Sequence, residues 1–300
     1  MEKRKAVNLI FPHQLFEKSD LLDNACETYL IEEYLFFKHF KFHKQKIAFH
    51  RASMQAYSDF LKSRNIPVKY IEATDEKSDI RILLSDILEA GITQINFYDP
   101  VDNWLLKRLN SFSESLHLNM LETPYFINTN SDLSTFFRAD KKSFFQTTFY
   151  KQQRVKHNVL MEKDGSPRGG KWTYDVDNRK KYPKGQEPPV IQFPKSSKYW
   201  EEAIRYVESH FSDYPGKLDE KRIYPVTFQE TNEWLTLFLK DRFEEFGIYE
   251  DAIVKEEIFL NHSLLSPLMN AGLISPHKVI NESLLFAKNN DIPLNSLEGF

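Results

Sequence analysis

The sequence predicts an α/β protein, with a parallel sheet flanked by helices first, then a polar basic connection, then a helical region. Three observations carry this. Up to about residue 125, short apolar runs alternate with amphipathic ones, the pattern of strand–helix–strand units that close into a parallel sheet. Between 126 and 197 the periodicity weakens, and the stretches 164–170 and 182–194 are rich in Pro, Gly and charge. From Lys198 onward, apolar residues recur at helical spacing. The expected division is therefore 1–125, 126–197 and 198–300.

Taken in order, Ala6–Phe11, Thr28–Ile31, Ile47–His50, Val68–Ile71 and Gln94–Tyr98 read as strands, several of them rich in β-branched or aromatic residues. Between them, Ala52–Lys62 and Asp75–Ala90 read as helices. The second carries Ile80, Leu83, Leu84, Ile87 and Leu88 on one face, with Gly91 just past its end as a C-terminal cap. There is no Gly-x-Gly-x-x-Gly, so the sheet is expected to be Rossmann-like without the usual dinucleotide turn. Tyr199–His210, Phe228–Phe246 and His277–Asn289 read as helices, the last with Ile280, Leu284 and Ala287 at helical spacing. Ser266-Pro267 and Ser275-Pro276 each read as an N-cap followed by proline at the first helical position. Hydroxyls beside free N–H groups at a helix start suit a phosphate or diphosphate.

A 300-residue chain with 41% hydrophobic residues is long enough for two cores. The single cysteine, Cys26, excludes an internal disulfide and a cysteine-only metal or iron–sulfur site in these residues, and fits a reducing compartment. No signal pattern precedes the first apolar run and no run of about 18 apolar residues occurs, so a cytoplasmic protein without membrane association is expected. Between Arg138 and Lys184 stand 13 Lys/Arg against 5 Asp/Glu, a local +8 in a chain of net −3, which leaves −11 elsewhere. Such polarisation suggests a surface that faces a polyanion. Here Phe144, Phe145, Phe149, Tyr150, Trp172 and Tyr174 interleave with Lys141, Lys142, Lys151, Arg154, Lys171 and Arg179. Cations with aromatic rings are the combination used for nucleic acid, each stacked base contributing roughly 1–3 kcal/mol. An interdomain connection whose rings pack on both domains has the same composition.

His13-Gln14 follows the first strand at the carboxyl edge of the expected sheet, where ligands of open α/β sheets bind. Glu32 and Glu33 end the second strand and can stand beside them, either as part of a site or as a capping cluster. His39, His43 and His50 have no partner pattern that suggests a metal. No Ser/His/Asp or Cys/His arrangement follows from spacing, so the residues alone give no reaction.

Four segments, however, resemble the photolyase/cryptochrome family, specifically the bacterial photolyase-related branch that includes the iron–sulfur (6-4) photolyases. They are Asn8-Leu9-Ile10-Phe11-Pro12-His13-Gln14-Leu15, His43-Lys44-Gln45-Lys46 leading into His50-Arg51-Ala52-Ser53-Met54, Gly169-Gly170-Lys171-Trp172-Thr173-Tyr174-Asp175-Val176-Asp177-Asn178-Arg179, and Asn261-His262-Ser263-Leu264-Leu265-Ser266-Pro267. The resemblance implies an α/β antenna domain, then an all-α domain holding FAD, whose reduced, light-excited form donates an electron to a pyrimidine dimer in damaged DNA. By resemblance, His262, Ser263, Leu264, Leu265 and Ser266 match the family's diphosphate turn, with His262 in place of threonine, and Tyr249 matches a tyrosine that lies against the flavin. His13, Gln14, Glu32 and Glu33 become antenna candidates; members with a ribolumazine antenna carry acidic residues near the positions of His13 and Phe36, and neither is acidic here. Lys171, Trp172, Arg179 and Tyr150 become candidates for DNA or interdomain contact. The resemblance further implies that the chain is an N-terminal portion, inactive alone. The rest of the flavin pocket, the cluster cysteines and the lesion-facing histidine are expected beyond Phe300. The alternatives are a cryptochrome-type blue-light sensor and a non-enzymatic antenna or binding remnant.

Overall fold

The computed structural model describes residues 5–300. Five strands, β1 (Ala6–Ile10), β2 (Glu27–Ile31), β3 (Val68–Ile71), β4 (Gln94–Tyr98) and β5 (His117–Leu121), form a parallel sheet in the order β3-β2-β1-β4-β5. Leu9 stands opposite Tyr29 and Val7 opposite Ile95. Central β1 is apolar along most of its length because both its faces are covered, whereas edge β5 is half polar. The order reverses between β1 and β4, which opens a crevice at their carboxyl ends.

Helices α1 (Tyr34–Phe37), α2 (Lys44–Ser63), α3 (Ile80–Glu89) and α4 (Asn103–Asn110) connect the strands. The apolar stripe of α3 and Leu105 of α4 join Leu9, Ile31, Ile95 and Phe97 in one core. Each such side chain contributes about 1.5–3 kcal/mol of burial. The expected strand at Ile47–His50 is instead part of α2. A four-residue apolar run has no diagnostic period, and here Ile47, Arg51, Met54, Ser58 and Leu61 continue one buried helical face. Helix α2 starts at Lys44 because His43 caps it, its Nδ1 accepting from the Gln45 N–H at 3.2 Å.

The remaining helices are α5 (Asn130–Leu133), α6 (Gln146–His157), α7 (Lys198–His210), α8 (Phe228–Asp241), α9 (Phe243–Tyr249), α10 (Ser266–Ala271), α11 (Pro276–Asn289) and α12 (Leu294–Gly299). The single helix expected over Phe228–Phe246 breaks at Arg242, whose backbone lies off the helical region at φ −133° and ψ −17°. Its buried guanidinium donates through Nε to the His262 carbonyl at 3.1 Å.

Two compact units interleave along the chain, which differs from the linear division expected. The sheet unit combines residues up to Tyr125 with Phe193–Asn232 and Leu265–Ser275; the second unit combines Phe126–Gln192, Glu233–Leu264 and Pro276–Phe300. In the sheet unit α7 packs on α2, burying Trp200, Ala203 and Val207. Gly272 ends α10 at φ +84°, where an added Cβ would lie 2.8 Å from the Leu15 nitrogen. In the second unit α9 packs on α12. Gly247 permits the approach, since a Cβ there would meet the Ser296 backbone at 2.7 Å. Phe238, Phe243, Phe246 and Phe300 cluster beside it. No helix among the described residues is long and apolar enough to cross a membrane.

Candidate functional site

At the switch point, β1 runs into His13 and Gln14. The Gln14 amide donates to the carbonyls of Tyr98 (3.1 Å) and Asp99 (3.2 Å), beyond the end of β4. His13 Nε2 lies 2.8 Å from the Pro100 carbonyl and so donates to it, leaving Nδ1 unprotonated and without a partner in the chain. The imidazole is nearly parallel to Phe36 (centroids 4.6 Å apart, 16°) and to Tyr125 (5.9 Å, 9°). Burial pushes the His13 pKa down to about 4, against the Pro100 hydrogen bond. Burial likewise pushes His50 down to about 3, and its Nδ1 also has no partner.

Glu32 and Glu33 follow β2, fully buried, but they are engaged in holding the strand end. Glu32 accepts from Arg51 (3.0 and 3.2 Å), the Tyr70 hydroxyl and the Ala73 N–H (2.7 Å each). Glu33 caps α1 through the Leu35 N–H and faces Arg108 at 3.4 Å. Burial pushes both carboxyls up to about 7, opposed by Arg51 at Glu32 and by the Leu35 N–H and Arg108 at Glu33. Arg51 also binds Glu72 (3.0 Å) and Glu202 of α7 (2.7 Å), and its guanidinium carbon sits 3.3 Å from the Tyr206 ring centroid. Arg51, Phe36 and Tyr125 thus organise this edge, and residue types and spacing alone assign a role to none of them. An arginine on the apolar face of α2 is the one signal in the sequence.

In the basic segment, ten of the thirteen cations between Arg138 and Lys184 are exposed and only Arg154 is buried. Arg154 donates to the carbonyls of Val159 (3.2 Å), Trp172 (2.8 Å) and Leu160. Tyr150 donates to Glu298, which also accepts from the Tyr174 N–H at 2.8 Å. Tyr150 and Trp172 are therefore built into the second unit. Lys171 and Arg179 stay exposed, Lys171 over the Tyr174 ring at 5.4 Å and Arg179 paired with Asp175. Phe144 and Phe145 are 46% and 67% exposed.

The Leu260–Ser266 turn begins with buried Asn261, whose amide nitrogen and oxygen both lack partners in the chain. His262 uses both ring nitrogens on backbone, Nδ1 accepting from the Leu260 N–H (3.4 Å) and Nε2 donating to the Glu250 carbonyl (3.3 Å). The Ser263 carbonyl accepts from Trp234 Nε1 at 3.1 Å, and Leu264 is left-handed at φ +58°. Ser266 is the first residue of α10 rather than its N-cap; Leu265 holds the cap position, with no side-chain cap. Ser275 does directly precede α11, which starts at Pro276. Tyr249 is buried against Tyr182, ring centroids 4.7 Å apart.

Residues 8–223 match the family of deoxyribodipyrimidine photo-lyase-related proteins. The chain belongs to that family. This photolyase-related protein is 36% identical over 191 residues to the uncharacterized protein R852 of Acanthamoeba polyphaga mimivirus, a match covering 60% of the chain and 96% of the viral protein. It is 26% identical over 266 residues to a (6-4) photolyase of Agrobacterium fabrum strain C58, covering 86% of the chain and 51% of that enzyme. Its fold is that of a bacterial class III photolyase from Agrobacterium tumefaciens, known from a crystal structure, with a TM-score of 0.54 at 17% identity over 99% of the chain and 56% of the other. The photolyase-related protein thus spans about half the length of both photolyases.

Proposed function

We propose that this photolyase-related protein serves light-driven, flavin-dependent repair of pyrimidine dimers in DNA. The observation that carries the reading is the family match over residues 8–223, joined by relatives called photolyases that are about twice as long. An amide with buried, unpartnered nitrogen and oxygen calls for a polar ligand, so Asn261 is in keeping with a dinucleotide beside its turn. Tyr249, His262, Ser263, Leu264, Leu265 and Ser266 would hold FAD. When bound, FAD supplies the photochemistry, electron donation to the lesion from its light-excited reduced state.

The chain's own residues supply positioning. His262 ties the turn to Leu260 and Glu250, and its carbonyl anchors Arg242, so its part is to fix the backbone. Lys171 and Arg179, with the exposed cations around them, would draw in the DNA backbone, while Tyr150 and Trp172 hold that surface in shape. A lesion that must meet the flavin has to leave the duplex stack. His13 Nδ1 and Gln14 Oε1 remain as acceptors toward an antenna chromophore, with Glu32 and Glu33 holding the frame.

The test combines the complete gene product with FAD, a reductant and an oligonucleotide carrying a defined dimer under blue light, residues 1–300 alone being the arm expected to be inactive. Chromatography should show dimers lost in light and retained in darkness. Intact dimers with flavin bound would overturn repair, and flavin photoreduction in their presence would point to the light-sensor alternative.

A further inference from the structure

A cavity of about 350 Å³ opens in the sheet unit, lined by none of the residues assigned above. Its walls include the rings of Tyr57, Phe60 and Phe228. Phe60 and Phe228 meet edge to face at 4.8 Å, and Tyr57 lies 5.7 Å from Phe60 at 25°. The ionisable side chains along the lining, tyrosines aside, are the acids Glu17 and Asp59. The nearby cations are engaged: Lys198 on Asp59 at 2.9 Å, and Arg64 over Phe60 at 4.1 Å with a hydrogen bond to the Glu17 carbonyl.

Ser53 lines the same cavity with 0% exposure, and its Oγ has no hydrogen-bond partner in the chain. A buried hydroxyl without a partner costs about 1–3 kcal/mol, so natural structures retain one where something else satisfies it. Tyr57 offers no such help, because its hydroxyl already donates to the Phe16 carbonyl at 3.0 Å. The lining also carries Tyr199, Thr227 and Gln229, and aromatic walls with a few convergent polar groups are the composition of small-molecule sites.

We infer that this cavity binds a small hydroxylated or N–H-bearing aromatic molecule without negative charge, its ring among Tyr57, Phe60 and Phe228 and its polar edge on Ser53. The lining itself carries no lysine or arginine, so an anion would find no counter-charge on it. Tyramine is the probe, with phenethylamine as its counterpart lacking the hydroxyl and 3-(4-hydroxyphenyl)propionate as its anionic counterpart.

Calorimetric titration of the 300-residue chain should show saturable tyramine binding. Phenethylamine should bind about 3–10-fold more weakly, the worth of one hydrogen bond, and the propionate more weakly than tyramine. In Ser53→Ala the two amines should bind alike, while the thermal midpoint stays level or rises, because an unsatisfied hydroxyl is removed and alanine favours the helix. Ala56→Met, filling the lining from the same helix, should abolish tyramine binding. Absence of saturable tyramine binding would overturn the inference. So would equal affinity for the propionate, or a hydroxyl preference that survives in Ser53→Ala. A lowered midpoint in Ser53→Ala would show that the hydroxyl serves the fold and overturn it equally.

Discussion

At the end of β2, Glu32 and Arg51 are withdrawn from water, at 0% and 3% exposure. Between Arg138 and Lys184, by contrast, ten of thirteen cations face solvent. Both regions are dense in charge, but the shared, buried charge gathers at the sheet edge. Arg51 is shared among Glu32, Glu72 and Glu202, so it fixes β2, the chain after β3 and α7 together. The basic segment keeps one cation buried for such work, Arg154, and leaves ten exposed. The contrast teaches that burial rather than charge density separates framework ions from ions available for recognition.

The largest effect should come from Arg51→Ala. It leaves Glu32 buried beside Tyr70 without a counter-ion and unties Glu202, and breaking a buried pair in this way costs about 3–5 kcal/mol. Urea unfolding should show a lower midpoint with an unchanged slope. A loss under about 1 kcal/mol would mean that the sheet edge is no more committed than the basic segment.

Next comes the acid limb of stability. His13 and His50 have folded pKa values of about 4 and about 3, below the ordinary 6.5, so the unfolded chain binds more protons between those values and 6.5. Their contribution is complete above pH 6.5 and fades as the pH falls through the folded values. For His13 alone the shift corresponds to about 3 kcal/mol at most. Glu32 and Glu33, with folded values raised to about 7, act in the opposite sense and favour the fold toward lower pH. The clean measurement is therefore a difference: His13→Phe should lose less stability than the parent between pH 6.5 and 4. Parallel melting curves would refute the assignment.

What the sequence reveals follows the same line between local and distant causes. Central β1, β2 and β4, and edge β3, are legible as short runs rich in apolar residues between polar stretches, and α3 because its stripe is complete. Helix α6 is not legible, since its only buried residue is Arg154 and it shows little apolar periodicity. The commitment of Glu32 is invisible because its partners, Arg51, Tyr70 and Ala73, are distant in sequence and meet only when α2 and β3 pack. The positions of His13 and Gln14 at the sheet edge follow from strand order. The orphaned Asn261 amide does not, because hydrogen-bond satisfaction is a property of the assembled fold.

Arg154 sharpens the comparison from within the basic segment. Arg154→Ala should cost about 1.5–3 kcal/mol, because three carbonyls lose a charged donor. Arg154→Lys should restore little, since an ammonium cannot reproduce the guanidinium fork. Full rescue by lysine in thermal melts would show that charge alone matters there.

The smallest effect on stability belongs to Lys180→Ala and Lys181→Ala, both exposed. Each should change unfolding free energy by less than about 0.5 kcal/mol. Binding of duplex DNA should nevertheless weaken at low salt, with the slope of log affinity against log salt falling by about 1 for each phosphate no longer neutralised. A stability loss comparable to that of Arg154→Ala would place these lysines in the framework. An unchanged salt slope would mean that the DNA backbone runs elsewhere, and the division between committed and available charge would have to be redrawn within the segment.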